Sequence, residues 1–276
     1  MRTDHERIGP TAHYTAYVWH RLGLPYADVF VTRRGAALYW GFLLAGEWAT
    51  RLSPGVPSMR QYLEYRHRLI DAVLHRLLPD RLVELGAGLS SRGLRWAIDR
   101  NVPCVDIDLA AMAAVKLRAL EQIGSSRNGG LRVIADDVLA PGFEDRLAEL
   151  LVGAERPVVI AEGLLSYFDP PDRQRVLVTV ASALRRAGGG SFVCDLHTAE
   201  DQARVGRAAK VLRLAIRTIT RRRRALDPYA TREALRAAFE SAGFRHTEIV
   251  DASAHANAVP QLRTLRSPAL VVHASA

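Results

Sequence analysis

The stretch Leu82-Val-Glu-Leu-Gly86-Ala-Gly88-Leu-Ser90-Ser91-Arg92-Gly93 has the order of residues that predicts a β-strand, a glycine turn and then an α-helix. Val83 and Leu85 are apolar, as the side chains of a buried parallel strand are. Gly86 and Gly88 allow the backbone to turn sharply and to approach a ligand closely, because glycine has no Cβ atom. The stretch therefore predicts an α/β fold with a ligand site at the end of its first strand.

The helix after the turn can begin at Ser90 or Ser91, because a serine hydroxyl at a helix start accepts a hydrogen bond from one of the first N–H groups. Asp106 and Asp108 follow about twenty residues after the turn, at the end of the next predicted strand. A carboxylate at that spacing can bind the hydroxyl groups of a ribose. Together the two features predict a site for a ligand that contains adenosine.

The glycine motif alone does not identify the ligand, since glycine turns after strands are common for structural reasons. The third glycine of the dinucleotide-binding motif would fall at Ser91, which disfavours a ligand with a pyrophosphate. S-adenosylmethionine contains adenosine and no pyrophosphate. An NAD(P)-dependent oxidoreductase stays an alternative, although we find no catalytic tyrosine–lysine pair of the kind such an enzyme uses.

Length and composition predict a soluble protein with one α/β domain, since the chain has 276 residues, of which 49% are hydrophobic and 24% charged. No apolar run approaches the ~20 residues that a membrane-spanning helix needs. The N-terminal segment from Met1 to Arg7 has no apolar signal-peptide region. We therefore expect a cytoplasmic protein without a membrane partner.

The formal net charge is +9, and nearly all basic residues are arginine, with lysine only at Lys116 and Lys210. This balance favours an anionic substrate or an acidic partner protein, and no nucleic-acid-binding motif accompanies it. Cys104 and Cys194 lie in predicted strands without neighbouring histidines, so we expect two packed thiols and no metal site. The oligomeric state is left open.

The first 78 residues have helical spacing of apolar side chains, broken by glycine and proline, and predict a helical cap (1–78) ahead of the sheet domain (79–276). Five aromatic side chains in the cap can pack against the domain, form a wall of the substrate site, or do both. They are Tyr14, Tyr17, Trp19, Tyr26 and Trp40.

From residue 81 onward strands and helices alternate, which predicts a mostly parallel sheet covered by helices on both faces. The predicted strands are Arg81 to Leu85, Pro103 to Ile107, Leu131 to Ala135, Val158 to Ala161 and Ser191 to Asp195. In such sheets ligands bind beyond the carboxyl ends of the strands. The polar residues at those ends are Asp108, Asp136, Asp137, Glu162 and His197.

The last hundred residues predict a long arginine-rich helix from Glu200 to Arg224 and a shorter one from Thr231 to Ser241. Two strands, His246 to Val250 and Ala269 to His273, then close the chain. We expect them to form an antiparallel edge of the sheet.

Four motifs stand in a fixed order along the predicted sheet domain. They are Leu85-Gly-Ala-Gly-Leu89 with Arg92, Asp106-Ile-Asp108-Leu109 with Lys116, Ala135-Asp136-Asp137, and Ala161-Glu-Gly-Leu-Leu-Ser-Tyr167. In this order they resemble the LGAGLDTR, EVDLP, ADL and AEGLLMYL motifs of the leucine carboxyl methyltransferase-like family. These are class I S-adenosylmethionine-dependent methyltransferases and include bacterial natural-product O-methyltransferases. The resemblance implies the Rossmann-like fold of that class and S-adenosylmethionine as cofactor.

The resemblance also implies a role for each cofactor-binding position. Arg66 would bind the methionyl carboxylate and Glu162 would face the methionyl ammonium group, while the main chain at Gly86 and Gly88 would pass against the methionyl part. The nucleoside residues are Asp108 for the ribose hydroxyls, Asp136 for the adenine amino group, and the backbone of Asp137 beside it.

By the same resemblance we expect an O-methyltransferase that acts on a carboxyl or hydroxyl group of a small, natural-product-like molecule. The basic charge balance favours an acceptor that is anionic or attached to an acidic carrier protein. A carboxylate acceptor is ionised at neutral pH and needs no base, whereas a phenol gains from one. His197 is the first candidate for a base or substrate contact, followed by Tyr167 and His20.

Ser90, in place of the family aspartate, motivates an alternative in which the fold serves as a cyclase or binding partner without methyl transfer.

Overall fold

The computed structural model describes residues 9–44, 58–124, 128–204, 228–265 and 267–276. Within these ranges a seven-stranded sheet carries a hydrophobic core on each face. This architecture confirms the predicted fold class, a mostly parallel Rossmann-like sheet with helices on both sides. Most of the predicted helix from Glu200 to Arg224 lies outside the described residues.

Ten α-helices lie within the described residues, and the helix predicted from Thr231 to Ser241 is among them, with Arg232 as its first residue. They are α1 Gly9–Arg21, α2 Arg33–Phe42, α3 Met59–Leu77, α4 Arg92–Arg100, α5 Ala110–Ile123, α6 Phe143–Leu151, α7 Pro170–Arg186, α8 Ala199–Arg204, α9 Arg232–Ser241 and α10 Ala252–His255. Short 3₁₀ helices span Ala27–Phe30, Leu165–Tyr167 and Pro260–Arg263. Of the helices described, none is long and apolar enough to cross a membrane.

The strands are β1 Arg81–Leu85, β2 Cys104–Asp108, β3 Arg132–Ala135, β4 Pro157–Ala161, β5 Ser191–Leu196, β6 His246–Ile249 and β7 Leu270–Ser275. Their order in the sheet is β3-β2-β1-β4-β5-β7-β6. Strands β1 to β5 are parallel to one another, whereas β7 is antiparallel to both β5 and β6. Because β2 and β4 flank β1 on opposite sides, the glycine turn lies at the point where the strand order reverses, the usual ligand position in such sheets.

Successive side chains of each strand point to opposite faces of the sheet, so the hydrophobic core has two parts. Val83 and Leu85 point into a cluster with α6, α7 and α9, whereas Leu82 points into a cluster with α3, α4 and α5. Helix α3 begins with a capping box, in which the Ser58 hydroxyl accepts from the N–H of Gln61 and the Gln61 side chain accepts from the N–H of Ser58. Its apolar positions recur at helical spacing and so form one buried stripe.

The N-terminal helices α1 and α2 pack together through a separate aromatic cluster that also includes residues of α3. Gly35 permits this approach, because a Cβ atom there would lie 2.3 Å from the carbonyl oxygen of His13. Helix α3, although within the predicted cap, also packs against β5 and β7. The last helix of the cap is therefore part of the core of the sheet domain.

The C-terminal strands differ from the prediction in position, although their antiparallel pairing is confirmed. Strand β7 ends at Ser275, two residues later than predicted, and lies between β5 and β6, so only β6 forms the edge. Residues Leu270 to Val272 are buried on both sides of the strand, as an internal position requires. Cys104 and Cys194 are buried free thiols, as expected.

Candidate active site

The carboxyl ends of the central strands and the loops that follow them enclose a cavity of about 280 Å³. This volume is near the lower end of the range for small-molecule sites. Six of the residues predicted for the site line this cavity together. They are Gly86, Gly88, Asp108, Asp136, Asp137 and Tyr167.

The glycine turn has the backbone conformation that the sequence predicts. Gly86 and Gly88 have φ angles of +61° and +51°, which residues with a side chain rarely adopt. A Cβ atom at Gly86 would lie 2.7 Å from Leu164 Cδ1, and one at Gly88 would lie 3.1 Å from Ala12 Cβ. The turn is therefore covered closely by α1 and by the loop after β4, with only glycine backbone facing the cavity on this side.

Asp108, the last residue of β2, fixes the turn. Its Oδ2 accepts from the N–H of Gly88 at 2.6 Å, and its Oδ1 accepts from the N–H of Leu109 at 2.7 Å. Burial raises the pKa of Asp108, while the two N–H groups act in the opposite direction. Each carboxylate oxygen has a second lone pair for a further donor. The geometry is compatible with ribose binding, which stays a prediction.

Asp136 follows β3 and is held by Arg146 of α6, a residue that sequence reasoning missed. Arg146 Nε and Nη2 donate to the two carboxylate oxygens at 2.7 and 2.9 Å. The N–H of Asp137 donates to Asp136 Oδ1 at 2.8 Å, and the N–H of Leu139 donates to Asp137 Oδ1 at 2.9 Å. The sequence carries no signal for this pair, because Asp136 and Arg146 are ten residues apart and lie on different elements.

Arg66 and Glu162 lie together next to the cavity, where Arg66 Nε donates to Glu162 Oε1 at 3.0 Å. Both side chains are almost fully buried. The guanidinium group packs on Gly163, which does line the cavity, because a Cβ atom at Gly163 would lie 2.7 Å from Arg66 Nη2. The two residues predicted for the amino-acid end of the donor are thus brought together as an ion pair.

Glu162 is further surrounded by positive groups. Its Oε2 lies 2.9 Å from His67 Nδ1 and accepts from Arg92 Nη2 at 2.6 Å. Burial acts to raise the pKa of Glu162, but the charges of Arg92, His67 and Arg66 hold it well below its usual range. Glu162 is therefore ionised at neutral pH.

Arg92 lies at the centre of a buried charge network that the sequence analysis did not predict. It donates to Asp71 at 2.7 Å, to Glu84 at 2.8 Å and to Glu162 at 2.6 Å. Close by, Lys116 Nζ lies 2.5 Å from Asp106 Oδ2 on the strand next to β1. The sequence feature that could have indicated this network is the carboxylate inside each of two apolar strands, Glu84 in β1 and Asp106 in β2. A carboxylate in such a position needs a buried partner.

Ser90 and Ser91 stand at the start of α4, as predicted, but only Ser90 caps it. The Ser90 hydroxyl accepts from the N–H of Arg92 at 3.2 Å, whereas the Ser91 hydroxyl donates to the carbonyl oxygen of Pro25 at 2.9 Å. Both side chains are buried. The substitution of the family aspartate by Ser90 thus preserves the helix start.

His197 follows β5 and lies outside the group of residues that line the cavity. Its Nε2 lies 3.2 Å from Tyr62 Oη, its Nδ1 lies 3.4 Å from Ser166 Oγ, and its ring stacks on Tyr62. Ser166 and Tyr167 share one 3₁₀ turn, so His197 is one residue removed from the cavity wall. His20 is exposed at the far end of α1 and does not line the cavity.

Of the two roles left open for the five cap aromatics, the structure shows packing, since none of them lines this cavity. Tyr14 packs in the cap cluster, Trp19 stacks near His67 at 4.9 Å, and the Tyr26 hydroxyl donates to Asp99. The cap contributes Gly9 and Ala12 instead. Helix α1 passes so close to the glycine turn that only small residues fit there.

The strand order and the cavity at the glycine turn define the fold of a class I methyltransferase. Residues 23–181, more than half of the chain, match the leucine carboxyl methyltransferase family, and the chain belongs to this family. A protein of Mycobacterium sp. strain JLS, assigned as an S-adenosyl-L-methionine-dependent methyltransferase, is 30% identical over 190 residues. The match covers 67% of this chain and 62% of the relative, so the chain spans less than two thirds of that relative's length.

Two solved structures share the fold. A protein of Thermobifida fusca YX, assigned as a methyltransferase, has a TM-score of 0.56 and 15% identity, over 95% of this chain and 93% of its own. A protein of Nostoc punctiforme PCC 73102, assigned as an O-methyltransferase, has a TM-score of 0.50 and 16% identity, over 84% of this chain and 68% of its own.

S-adenosylmethionine is the cofactor of this family, and the residues fit it. Gly86 and Gly88 line the cavity without side chains, and the carboxylates of Asp108 and Asp136 in the same wall are acceptors suited to hydroxyl and amino groups. The ionised Glu162 and the guanidinium of Arg66 are complementary to the two charges of an amino-acid group. The nucleoside acceptors lie in the cavity wall, whereas Arg66 and Glu162 lie beside the cavity and are not among its lining residues.

Proposed function

We propose that the protein is an S-adenosylmethionine-dependent O-methyltransferase that acts on a carboxyl or hydroxyl oxygen of a small, natural-product-like acceptor. The observation that carries this proposal is that the glycine turn, Asp108, Asp136 and Tyr167 line one cavity. Residues suited to the nucleoside and a candidate acceptor contact thereby line the same cavity.

S-adenosylmethionine supplies a methyl group on a positively charged sulfur atom. The work of the protein is chiefly positioning, because an in-line transfer needs two aligned reactants more than it needs a chemical group from the chain. Asp108 and Asp136 would fix the nucleoside, and the ion pair of Arg66 and Glu162 would fix the amino-acid end. Tyr167 would contact the acceptor from the cavity wall.

The acceptor chemistry decides whether a base is used. A carboxylic acid, with a pKa of about 4, is already ionised at neutral pH, whereas a phenol, with a pKa of about 10, must lose a proton. For a hydroxyl acceptor, His197 would take up that proton at a ring nitrogen, with Ser166 and Tyr62 keeping the ring in place. The contacts at 3.4 and 3.2 Å fix the ring beside the 3₁₀ turn that contains Tyr167, one residue behind the cavity wall.

The charge balance supports an anionic acceptor, free or attached to an acidic carrier protein. The net charge of +9 attracts negatively charged molecules over distances of about 10 Å at moderate salt. Acceptors that carry a second carboxylate or a phosphate are therefore the first to test.

The alternative without methyl transfer rests on Ser90, in place of the family aspartate. Ser90 caps α4 and is not among the residues that line the cavity. Its position favours the transfer reaction over the alternative, because the substitution leaves the wall of the donor cavity unchanged.

A calorimetric titration with S-adenosylmethionine, S-adenosylhomocysteine and NADH tests the donor part of the proposal. We expect binding of the first two and none of NADH. Transfer is then measured with methyl-labelled S-adenosylmethionine and a panel of carboxylic acids and phenols, at equal concentrations and pH. Binding of NADH alone would overturn the proposal. Donor binding without labelled product from any acceptor class would favour the alternative without transfer.

A further inference from the structure

Asp195 lies in β5 with 1% of its surface exposed, directly beside the Arg66–Glu162 pair, and no sequence motif assigns it to the site. Its Oδ1 accepts from the N–H of Gly163 at 2.5 Å. Its Oδ2 accepts from Arg66 Nη1 at 3.5 Å. One carboxylate therefore contacts both the cavity loop after β4 and the guanidinium group beside that loop.

The guanidinium group of Arg66 is held from two strands. Glu162, which follows β4, binds its Nε, and Asp195, near the end of β5, binds its Nη1. Gly163 lies against the same group with a φ angle of +68°, and any Cβ atom there would collide with Arg66. The orientation of the planar group is thus set by both carboxylates and by the backbone of Gly163.

The loop after β4 is also held by Asp195, through the N–H of Gly163. Its residues Gly163 and Leu164 line the cavity, and Leu164 also covers Gly86 of the glycine turn. Without the acceptor at Asp195, the N–H of Gly163 would have to find another partner. A change at Asp195 would therefore move the loop and Arg66 together.

We propose that Asp195 is a positioning residue for the amino-acid end of S-adenosylmethionine, which it serves by orienting Arg66 and the loop at Gly163. It acts through these groups and not by contact with the reacting atoms. The inference rests on the proposed donor-binding function. It predicts that Asp195 matters for ligands with the amino-acid group and not for the adenosine part alone.

The test compares three ligands by titration calorimetry on the full chain. S-adenosylmethionine and S-adenosylhomocysteine carry the amino-acid group, whereas 5′-methylthioadenosine has the same nucleoside and lacks it. In Asp195→Asn the amide must direct its NH₂ group at either Gly163 N–H or Arg66, and both are donors. We expect at least about tenfold weaker binding of the first two ligands, as for one lost charge-assisted hydrogen bond, and unchanged binding of 5′-methylthioadenosine.

Asp201→Asn is the matched control. Asp201 is also a buried carboxylate paired with an arginine, since its Oδ1 accepts from Arg232 Nη2 at 2.7 Å and its Oδ2 accepts from the Thr198 hydroxyl at 2.6 Å. The same isosteric change there should leave all three affinities as in the wild type. An equal loss for all three ligands in Asp195→Asn, or no loss for any, would overturn the inference.

Asp195→Glu provides a second route if the asparagine variant does not fold. The charge opposite Arg66 is retained, but the longer side chain cannot keep both contacts in the same geometry, so the same ligand selectivity is expected. Wild-type affinity for all three ligands in a folded glutamate variant would contradict the proposal. Failure of the wild type to bind any of them would instead refute the donor-binding function itself.

Discussion

Arg92 Nη2 donates to Glu162 Oε2 at 2.6 Å in the interior of the protein. This bond joins the helix that starts at the glycine turn to the residue that follows β4, on the other side of β1. Since Arg92 also binds Glu84 within β1, one guanidinium group ties together three segments around the cavity. The two halves of the candidate donor site are therefore joined by one buried side chain.

Replacing Asp108 by alanine should weaken the binding of S-adenosylmethionine about ten- to a hundredfold, or roughly 1.5 to 3 kcal/mol. The variant loses an acceptor for the ribose hydroxyls and also the acceptor for the N–H of Gly88. Titration calorimetry measures the loss, and circular dichroism establishes that the variant is folded. Unchanged affinity in a folded variant would remove Asp108 from the site.

Arg66→Lys should damage donor binding nearly as much as Arg66→Ala. The lysine ammonium is a point charge and cannot bind Glu162, Asp195 and a ligand carboxylate with the fixed geometry of a guanidinium group. The same titrations apply, with Arg68→Lys as the control, because Arg68 pairs with Glu64 on the same helix. If the Arg66→Lys variant binds S-adenosylmethionine with wild-type affinity, Arg66 does not take part in binding this donor.

The local part of the site could be predicted from the sequence, since a strand, a glycine turn and an acidic strand end are encoded by neighbouring residues. The sequence did not predict the roles of Asp195, Arg146 and Arg92. Their partners are distant in sequence or on another element, so each contact arises only when the sheet has formed. The cavity wall from α1 was likewise missed, because close approach to Gly88 requires a small residue and not an aromatic one.

The order of the last strands was unpredictable for a related reason. The prediction that the last two strands pair with each other in antiparallel orientation was correct. Which of the two joins β5 depends on the two-sided burial of Leu270 to Val272 between β5 and β6, a tertiary property.

Glu84 should make the stability of the protein depend on pH in the neutral range. Burial, strengthened by the nearby Asp106 and opposed by Arg92, raises the pKa of Glu84 from 4.5 to about 7. The folded state therefore binds more protons than the unfolded state between these values. This contribution to stability is complete below pH 4.5 and is lost as the pH rises through 7.

The Glu84→Gln variant removes this titration. Its free energy of unfolding, relative to the wild type, should rise by up to about 3 kcal/mol between pH 4.5 and 7. Urea unfolding at several pH values measures the difference. Curves that run parallel for the two proteins would mean that Glu84 is ionised in the folded state throughout this range.

His197→Asn should separate the two acceptor classes. If His197 takes up a proton, methylation of phenols should fall by about a hundredfold or more, whereas methylation of carboxylic acids, which need no base, should keep most of its rate. The comparison is made at saturating S-adenosylmethionine, with donor affinity measured in parallel, because Tyr62 connects the His197 ring to the neighbourhood of Arg66. Tyr62→Phe keeps the stacked ring without its hydroxyl group and serves as the control, for which we expect a smaller loss with phenols. Equal loss for both acceptor classes in His197→Asn, at unchanged donor affinity, would assign His197 to acceptor positioning and not to proton transfer.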